Sequence, residues 1–226
     1  MSEFHKIIVP RTAHYYTLSE ASKKTKNLWI VCHGMGQNAD DFIKIFECIA
    51  DEENFVVAPE GLNKAYWNGF DGPAVASWMT RRHRLDEIDD FSHFIHSIYH
   101  HFLVQCADNV KVTLLGFSQG CATQSRYIMT KMPNFDTLVL CGGGMPEDLD
   151  YLEKTTYWAD KNIYFVCGDK DKFVTPELIA KHELFLEKHN LHIAKKIIFD
   201  GKHELRETPV LELKGLVNDG NVQKKR

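Results

Sequence analysis

The stretch from residue 110 to residue 132 constrains the fold more than any other part of the chain. Residues 110–115 form a short run rich in β-branched and aliphatic side chains, which is typical of a buried strand. The sequence Gly-Phe-Ser-Gln-Gly follows at 116–120, and residues 121–129 contain neither Gly nor Pro, which favours a helix. The chain must therefore reverse direction within a few residues around Ser118. Glycine on either side of Ser118 relieves the crowding in such a turn.

A serine in this turn would hold its hydroxyl above the sheet, at the positive end of the following helix. This arrangement is a nucleophile elbow, with the pattern G-x-S-x-G. The pattern alone is weak evidence, because short strings of this kind also arise by chance. The alternative is a serine that caps the helix N-terminus in an ordinary strand-to-helix turn. Features elsewhere in the chain have to decide between the two.

The composition predicts a packed globular protein. Hydrophobic residues make up 44% of the 226 residues, charged residues make up 26%, and the formal net charge is −4. A phosphate-binding surface usually shows as a basic excess, so we expect no nucleic-acid partner. The sequence has neither an apolar stretch of membrane-spanning length nor a signal pattern at its start, so we expect no integral membrane association and a cytoplasmic location. In that compartment the six cysteines are expected to be reduced.

Strand and helix patterns alternate along the chain. The predicted strands are 28–32, 55–58, 110–115, 138–140, 163–167 and 193–199, and the predicted helices are 40–50, 85–104, 121–129, 176–189 and 204–216. Residues 4–9 and 12–18 look extended and could form an opening hairpin. Such alternation predicts an α/β fold with a parallel sheet and helices on both faces. We expect one domain over residues 1–226, with 221–226 as a flexible tail.

Residues 60–82 interrupt this alternation. Aromatic side chains are interleaved there with Gly, Asn and Pro, and the aromatic content argues against disorder. A long irregular segment inside a compact domain is usually functional. We therefore interpret the segment as a pocket wall, the alternative being a simple cover for the sheet edge.

Acidic and histidine residues follow the later strands. Asp169 and Asp171 come directly after the strand at 163–167, and His203 follows the strand at 193–199. A serine hydroxyl becomes a nucleophile when a histidine takes its proton and a carboxylate orients that histidine. The order serine, acid, histidine at successive strand ends favours a catalytic Ser118 over a helix cap. Either aspartate can supply the carboxylate on these grounds.

These motifs resemble those of the phospholipase/carboxylesterase family of α/β-hydrolases, which includes the acyl-protein thioesterases. The resemblance runs from about residue 29 to about residue 216. It rests on His-Gly-Met-Gly at 33–36, Gly-Phe-Ser-Gln-Gly at 116–120, Gly-Asp-Lys-Asp at 168–171 and Gly-Lys-His at 201–203. It implies the α/β-hydrolase fold and a triad of Ser118, Asp171 and His203. Asp169 would then brace or cap its turn.

An oxyanion hole is expected beside the triad. One donor is the backbone N–H of Gln119, which follows the nucleophile at the start of a helix. By resemblance, the second is the backbone N–H of Met35. His33 lies in the same motif, and we expect it to hold the oxyanion loop in shape rather than to act as a base.

The chain departs from the family pattern in two places. The acid loop usually continues with Pro and Val, but residues 172–174 are Lys-Phe-Val. An aromatic residue and an aspartate commonly follow Ser77-Trp78, but here residues 79–80 are Met-Thr. What the family implies about substrate preference is therefore least applicable to this chain at residues 60–82 and 142–157. The candidate substrate-binding residues in these segments are Trp67, Phe70, Trp78 and Met145.

Two weaker signals do not point to a further site. His93, His96 and His100 share one face of a predicted helix and could bind a metal ion. We interpret them as a solvated face, because no Cys or Glu completes a recognised zinc spacing. The basic run at 80–84 is likewise interpreted as exposed surface. We expect neither a metal nor an organic cofactor.

Three functional hypotheses remain. The first is a serine esterase that acts on carboxylic esters or thioesters of short to medium acyl chain. The second is a serine peptidase, which can share this fold and triad. The third is a non-catalytic protein that uses a hydrolase fold to bind a ligand, although the complete set of Ser118, Asp171 and His203 argues against it. The sequence leaves the natural substrate and the oligomeric state open, a homodimer included.

Overall fold

The computed structural model describes residues 1–219, and the tail predicted at 221–226 lies outside them. The strands are β1 (Tyr15–Leu18), β2 (Asn27–Cys32), β3 (Asn54–Pro59), β4 (Asn63–Tyr66), β5 (Ala74–Ser77), β6 (Lys111–Phe117), β7 (Thr137–Cys141), β8 (Asn162–Gly168) and β9 (Lys195–Phe199). The helices are α1 (Ala39–Phe42), α2 (Arg84–Leu103), α3 (Gln119–Lys131), α4 (Thr155–Trp158), α5 (Pro176–Lys188) and α6 (Glu207–Asp219), with short 3-10 segments at Ile43–Phe46 and Leu152–Lys154.

The main sheet has the strand order β1-β3-β2-β6-β7-β8-β9. Neighbouring strands pair in parallel, except β1, which is antiparallel to β3. The chain passes from β2 to β3 on one side and later to β6 on the other, so the strand order reverses beside β2. In open α/β sheets, ligands bind outside the carboxyl ends of the strands at such a point. This geometry places the loops after β2 and β6 next to each other.

Alternate residues of β2 face two separate cores. Leu28 and Ile30 pack with α2, α3 and α5, whereas Trp29 and Val31 pack with α1 and α6 on the opposite face. All of these side chains are fully buried, because a central parallel strand is covered on both faces. The predicted architecture, a mostly parallel sheet with helices on both faces, is confirmed.

The predicted opening hairpin is wrong. Only Tyr15–Leu18 forms a strand, and its partner is the sheet edge at β3 rather than residues 4–9. Residues 4–9 have extended, apolar character but no strand beside them. Lys6 of this segment donates to Asp86 at the start of α2, and Arg11, just after it, donates to the carbonyl of Leu62.

Three other segments differ from expectation. The helix predicted at 40–50 is the single turn α1 followed by the 3-10 segment, in which tighter i to i+3 bonds replace α-helical ones. The segment 60–82 contains the antiparallel pair β4–β5, whose tip turns through Gly69 and Gly72, both with φ of +88°. Glycine adopts this left-handed conformation without steric cost. The last helix begins at Glu207, three residues later than predicted.

Candidate active site

The turn around Ser118 is a strained elbow. Ser118 lies between β6 and α3 with φ 53° and ψ −115°, a conformation that non-glycine residues rarely adopt. A Cβ at Gly116 would collide with the backbone of Gly120, and a Cβ at Gly120 would collide with the carbonyl of Cys32 on the neighbouring strand. The turn therefore requires glycine at both flanking positions of the motif.

Three side chains from distant parts of the chain meet at this elbow. The Nε2 atom of His203 lies 3.0 Å from the hydroxyl oxygen of Ser118, and its Nδ1 atom lies 2.7 Å from the Oδ2 atom of Asp171. The Asp171 side chain is buried, and its Oδ1 atom accepts bonds from the backbone N–H groups of Phe173 and Val174. With Nδ1–H donating to the carboxylate, Nε2 of His203 is left to accept the serine proton.

The two candidate aspartates take different positions. Asp171 contacts His203 directly, whereas Oδ1 of Asp169 accepts a bond of 3.1 Å from the backbone N–H of Gly201. Asp169 therefore ties the loop after β8 to the loop that carries His203. Both loops follow adjacent parallel strands, which brings their side chains to one edge of the sheet.

His33 is buried beneath the loop that follows β2. Its Nε2 atom accepts a bond from the N–H of Gly61 at 3.0 Å, so Nδ1 carries the proton and donates to the carbonyl of Gly34 at 2.7 Å. The indole N–H of Trp78 donates to the carbonyl of His33 at 2.8 Å. Burial lowers the pKa of His33 from 6.5 to about 4. A neutral His33 thus bonds the loop from inside.

The side chain of Gln119 ties the elbow to the segment 60–82. Its Oε1 atom accepts a bond from the backbone N–H of Trp78 at 3.0 Å, and its Nε2 atom donates to the carbonyl of Met79 at 2.8 Å. The backbone N–H of Gln119 is the first of α3 and has no acceptor within its own helix. Across from it, the loop that contains Met35 is held by bonds from Gly34 N–H to the Gln37 side chain and from Gly36 N–H to Ala76.

The four predicted substrate-binding residues lie in different surroundings. Trp78 is 1% exposed and packs against His33 and Phe91, which makes it a support of the loop. Phe70, at the tip of the β4–β5 pair, is 98% exposed. The ring of Trp67 lies over Gly36 in the loop after β2. Met145 is buried and lines a cavity of about 260 Å³ between the loop after β7 and α5.

Sequence reasoning missed two residues beside this cavity. The ring of Phe173 packs edge-on against the imidazole of His203, with centroids 4.8 Å apart, and Phe173 also lines the cavity. It was noticeable only as a departure from the family's usual acid loop. His182 lines the same cavity from α5. Nothing in the sequence distinguishes it from a histidine on any amphipathic helix.

The histidines of α2 bond to one another and to nearby groups. The Nε2 atoms of His96 and His100 lie 3.0 Å apart, and Nζ of Lys131 lies 2.8 Å from Nε2 of His93. Within residues 1–219, no group of three or more His, Cys, Asp or Glu side chains is placed to hold a metal ion. In the same part of the chain, no helix combines the length and the apolar character needed to cross a membrane.

A model of the phospholipase/carboxylesterase family matches residues 13–218. The chain belongs to this family. The match confirms the resemblance that the motifs at 33–36, 116–120, 168–171 and 201–203 indicate. A search of curated proteins found no match.

Several solved structures have the same fold. An acyl-protein thioesterase 2 from Zea mays has a TM-score of 0.68 at 14% identity, over 92% of this chain and 99% of that one. A carboxylesterase from Mesorhizobium loti has a TM-score of 0.67 at 18% identity, over 91% and 94%. A phospholipase/carboxylesterase from Dyadobacter fermentans has a TM-score of 0.64 at 15% identity, over 93% and 99%. Likeness at these identities concerns the fold, and it confirms the predicted α/β-hydrolase fold.

Proposed function

We propose that the protein is a serine hydrolase that cleaves carboxylic esters or thioesters of short to medium acyl chain, with Ser118, His203 and Asp171 as its triad. One observation carries the proposal: the imidazole of His203 is bonded on one side to the hydroxyl of Ser118 and on the other to the buried carboxylate of Asp171. This is the arrangement that turns a serine hydroxyl into a nucleophile. Membership of the phospholipase/carboxylesterase family supports the same class of reaction.

The reaction proceeds by transfer of the acyl group to the enzyme and then to water. Oγ of Ser118 attacks the carbonyl carbon while Nε2 of His203 takes the hydroxyl proton. The backbone N–H groups of Met35 and Gln119 donate to the oxyanion, a contribution worth about 3 kcal/mol for each donor. His203 then gives its proton to the leaving alcohol or thiol, and the acyl-enzyme forms.

Water completes the cycle. His203 removes a proton from a water molecule that attacks the acyl-enzyme, and the proton passes to Oγ of Ser118 when the carboxylic acid leaves. Throughout the cycle Asp171 keeps the proton on Nδ1 of His203 and stabilises the imidazolium. The peptide N–H bonds from Phe173 and Val174 fix the carboxylate in the orientation this requires.

The test is hydrolysis of p-nitrophenyl esters with acyl chains of two to sixteen carbons by the wild-type protein and by Ser118→Ala. We expect turnover in the wild type and a loss of about 10⁴-fold or more in kcat for the variant. The matched control is Ser125→Ala in α3, because the hydroxyl of Ser125 is bonded to the carbonyl of Cys121 within the helix. Activity should persist in that variant.

Three outcomes would contradict the proposal. Ester hydrolysis that survives Ser118→Ala would exclude Ser118 as the nucleophile. An absence of turnover on every ester, together with no labelling of Ser118 by a fluorophosphonate, would favour a non-catalytic ligand-binding protein. Cleavage of peptides in place of esters would favour the peptidase hypothesis.

A further inference from the structure

The cavity of about 260 Å³ begins beside the triad. Its walls include Gly142 and Phe173, and both lie against the imidazole of His203: the ring of Phe173 packs on it, and a Cβ at Gly142 would lie 3.2 Å from its Cε1 atom. Most of the remaining lining is apolar, including Met145, Phe165 and Val174. A substrate bound at Ser118 can therefore extend directly into this space.

Two adjacent glycines connect the nucleophile to the far wall of the cavity. A Cβ at Gly143 would lie 2.8 Å from the carbonyl oxygen of Ser118, and a Cβ at Gly144 would lie 2.9 Å from Cε1 of His182. The Cα atoms of neighbouring residues are about 3.8 Å apart. The elbow and the imidazole of His182 therefore lie within the reach of a short carbon chain.

His182 supplies an unpartnered donor to this space. Of the side chains that line the cavity, Lys181 and His182 carry N–H groups, and Nζ of Lys181 is bonded to Glu147 at 2.8 Å. The backbone N–H of Met145 points to Nε2 of His182 at 3.4 Å, so Nε2 is the acceptor and Nδ1 carries the proton. Among the described residues, no acceptor takes this Nδ1 proton.

His182 is a neutral donor. Burial lowers its pKa, although the carboxylates of Glu147 and Glu183 act in the opposite direction. Glu147 and Lys181 in the wall are paired with each other, so the neutral imidazole N–H favours a neutral acceptor. A donor that a bound substrate shields from water without giving it a partner costs free energy. A substrate with only hydrocarbon in the cavity would leave that donor unsatisfied.

We propose that His182 is a specificity-determining residue that donates a hydrogen bond, through Nδ1, to a carbonyl or hydroxyl oxygen on the substrate chain occupying this cavity. The inference rests on the proposed ester or thioester hydrolysis and names its substrate class: an oxo- or hydroxy-substituted chain. The oxygen can belong to the acyl chain or to the leaving alcohol. The cavity walls contact the imidazole of His203, which acts on both the acyl carbonyl and the leaving group.

The cavity volume limits the length of this chain. An apolar cavity of about 150 Å³ holds one benzene molecule, so about 25 Å³ is needed for each carbon atom. A space of about 260 Å³ then holds about ten non-hydrogen atoms. The cavity can therefore hold the whole of a short or medium chain that carries an oxygen along its length.

The experiment compares pairs of esters of similar shape. In the acyl arm, p-nitrophenyl esters carry a ketone at carbon 4, 6 or 8, each matched by a chain with a methyl branch at the same carbon. In the alcohol arm, acetate esters of alcohols carry the same ketones or branches, and a pH indicator follows hydrolysis. The measured quantity is the ratio of kcat/KM for the ketone to kcat/KM for the branched partner.

We expect the wild type to prefer the ketone by about 3- to 10-fold at one chain position in one arm, which is the size of one net hydrogen bond. His182→Leu should abolish this preference, whereas His182→Asn, which is smaller but can place an amide N–H near the position of Nδ1, should keep it. His189→Leu is the control, because Nδ1 of His189 bonds the carbonyl of Phe185 away from the cavity.

The inference is overturned if no ketone is preferred at any position in either arm, or if the preference survives His182→Leu. These outcomes leave the proposed function intact, provided that Ser118→Ala abolishes hydrolysis of all the esters. If the wild type hydrolyses none of them, the proposed function fails instead. The donor is then tested by binding alone, from the ¹⁵N resonances of His182 in Ser118→Ala. Ethyl 6-oxoheptanoate should shift the Nδ1 signal while ethyl 6-methylheptanoate does not, and equal responses would overturn the inference.

Discussion

The stability of the fold should fall between pH 7 and pH 5 because of His33. Its side chain is fully buried, and burial lowers its pKa from 6.5 to about 4. Above pH 6.5 His33 is neutral in both the folded and the unfolded chain, so its contribution is fully present there. Below pH 6.5 the unfolded chain binds a proton that the folded protein excludes until the pH nears 4. A lowered pKa therefore means that stability is lost as the pH falls through this window.

The magnitude follows from the size of the pKa shift. Each pH unit between the two pKa values is worth about 1.4 kcal/mol, so the loss at pH 5 is about 2 kcal/mol and the full loss near pH 4 is about 3 kcal/mol. Protonation also removes the acceptor that Nε2 offers to the N–H of Gly61. The loop that carries Met35 should loosen with it, since Nδ1 of His33 is bonded to Gly34 in that loop.

Urea unfolding at pH 7 and pH 5 measures this effect. His33→Gln should be less stable than the wild type at pH 7, but its free energy of unfolding should change by about 2 kcal/mol less between the two pH values. The control is His5→Gln, whose side chain is exposed. The reasoning is refuted if His33→Gln and the wild type lose the same free energy between pH 7 and pH 5, because the titrating group would then be elsewhere.

Three further predictions concern the elbow and its neighbours. Asp171→Asn should lower kcat for p-nitrophenyl ester hydrolysis by about 10⁴-fold, because the imidazole of His203 loses its orienting carboxylate. Asp169→Asn should change kcat by less than about tenfold, and equal losses in the two variants would contradict the choice of Asp171 as the catalytic acid. Gly120→Ala should lower the free energy of unfolding by more than about 3 kcal/mol or prevent folding, because its Cβ would collide with the carbonyl of Cys32 on the neighbouring strand. Gly215→Ala, in open space on α6, should instead raise the urea midpoint of unfolding. Gln119→Leu should lower kcat/KM about tenfold by removing two bonds to the segment 60–82, and an unchanged kcat/KM would separate that segment from catalysis.

The meeting of Ser118, Asp171 and His203 was predictable because each of them follows a strand with a strong sequence pattern. Ser118, Asp171 and His203 are far apart in the chain, but parallel strands all present their carboxyl ends at one edge of the sheet. A serine, an acid and a histidine after successive strands must then lie near one another. The topology brings the three side chains together, but no sequence pattern gives the distances of 2.7 Å from His203 to Asp171 and 3.0 Å from His203 to Ser118.

The opening hairpin was not predictable in the same way. Residues 4–9 and Tyr15–Leu18 both have an extended pattern, but such a pattern does not reveal which backbone lies beside it. Tyr15–Leu18 pairs with β3 because β3 would otherwise be the edge of the sheet, with open hydrogen-bonding groups. Strand pairing is decided between segments far apart in sequence, and local periodicity carries no information about it.

The aromatic residues of segment 60–82 illustrate the same limit at the site. Trp67, Phe70 and Trp78 have similar chemistry in the sequence, but one lies over a glycine of the loop after β2, one is fully exposed, and one is buried beneath that loop. Their separation depends on where the β4–β5 pair begins and ends. That boundary was missed because the glycines at the tip resemble those of an irregular loop.

The base of the β4–β5 pair forms part of the frame that holds the proposed oxyanion donors. Ala76 exchanges two backbone bonds with the loop after β2, donating to Gln37 and accepting from Gly36. Just beyond this pair, the indole of Trp78 and the side chain of Gln119 form three further bonds that join the segment to β2 and to the elbow. The tip residues make none of these connections. Substitutions at the tip should therefore leave these bonds intact, whereas substitutions at the base should disturb the loop that carries Met35.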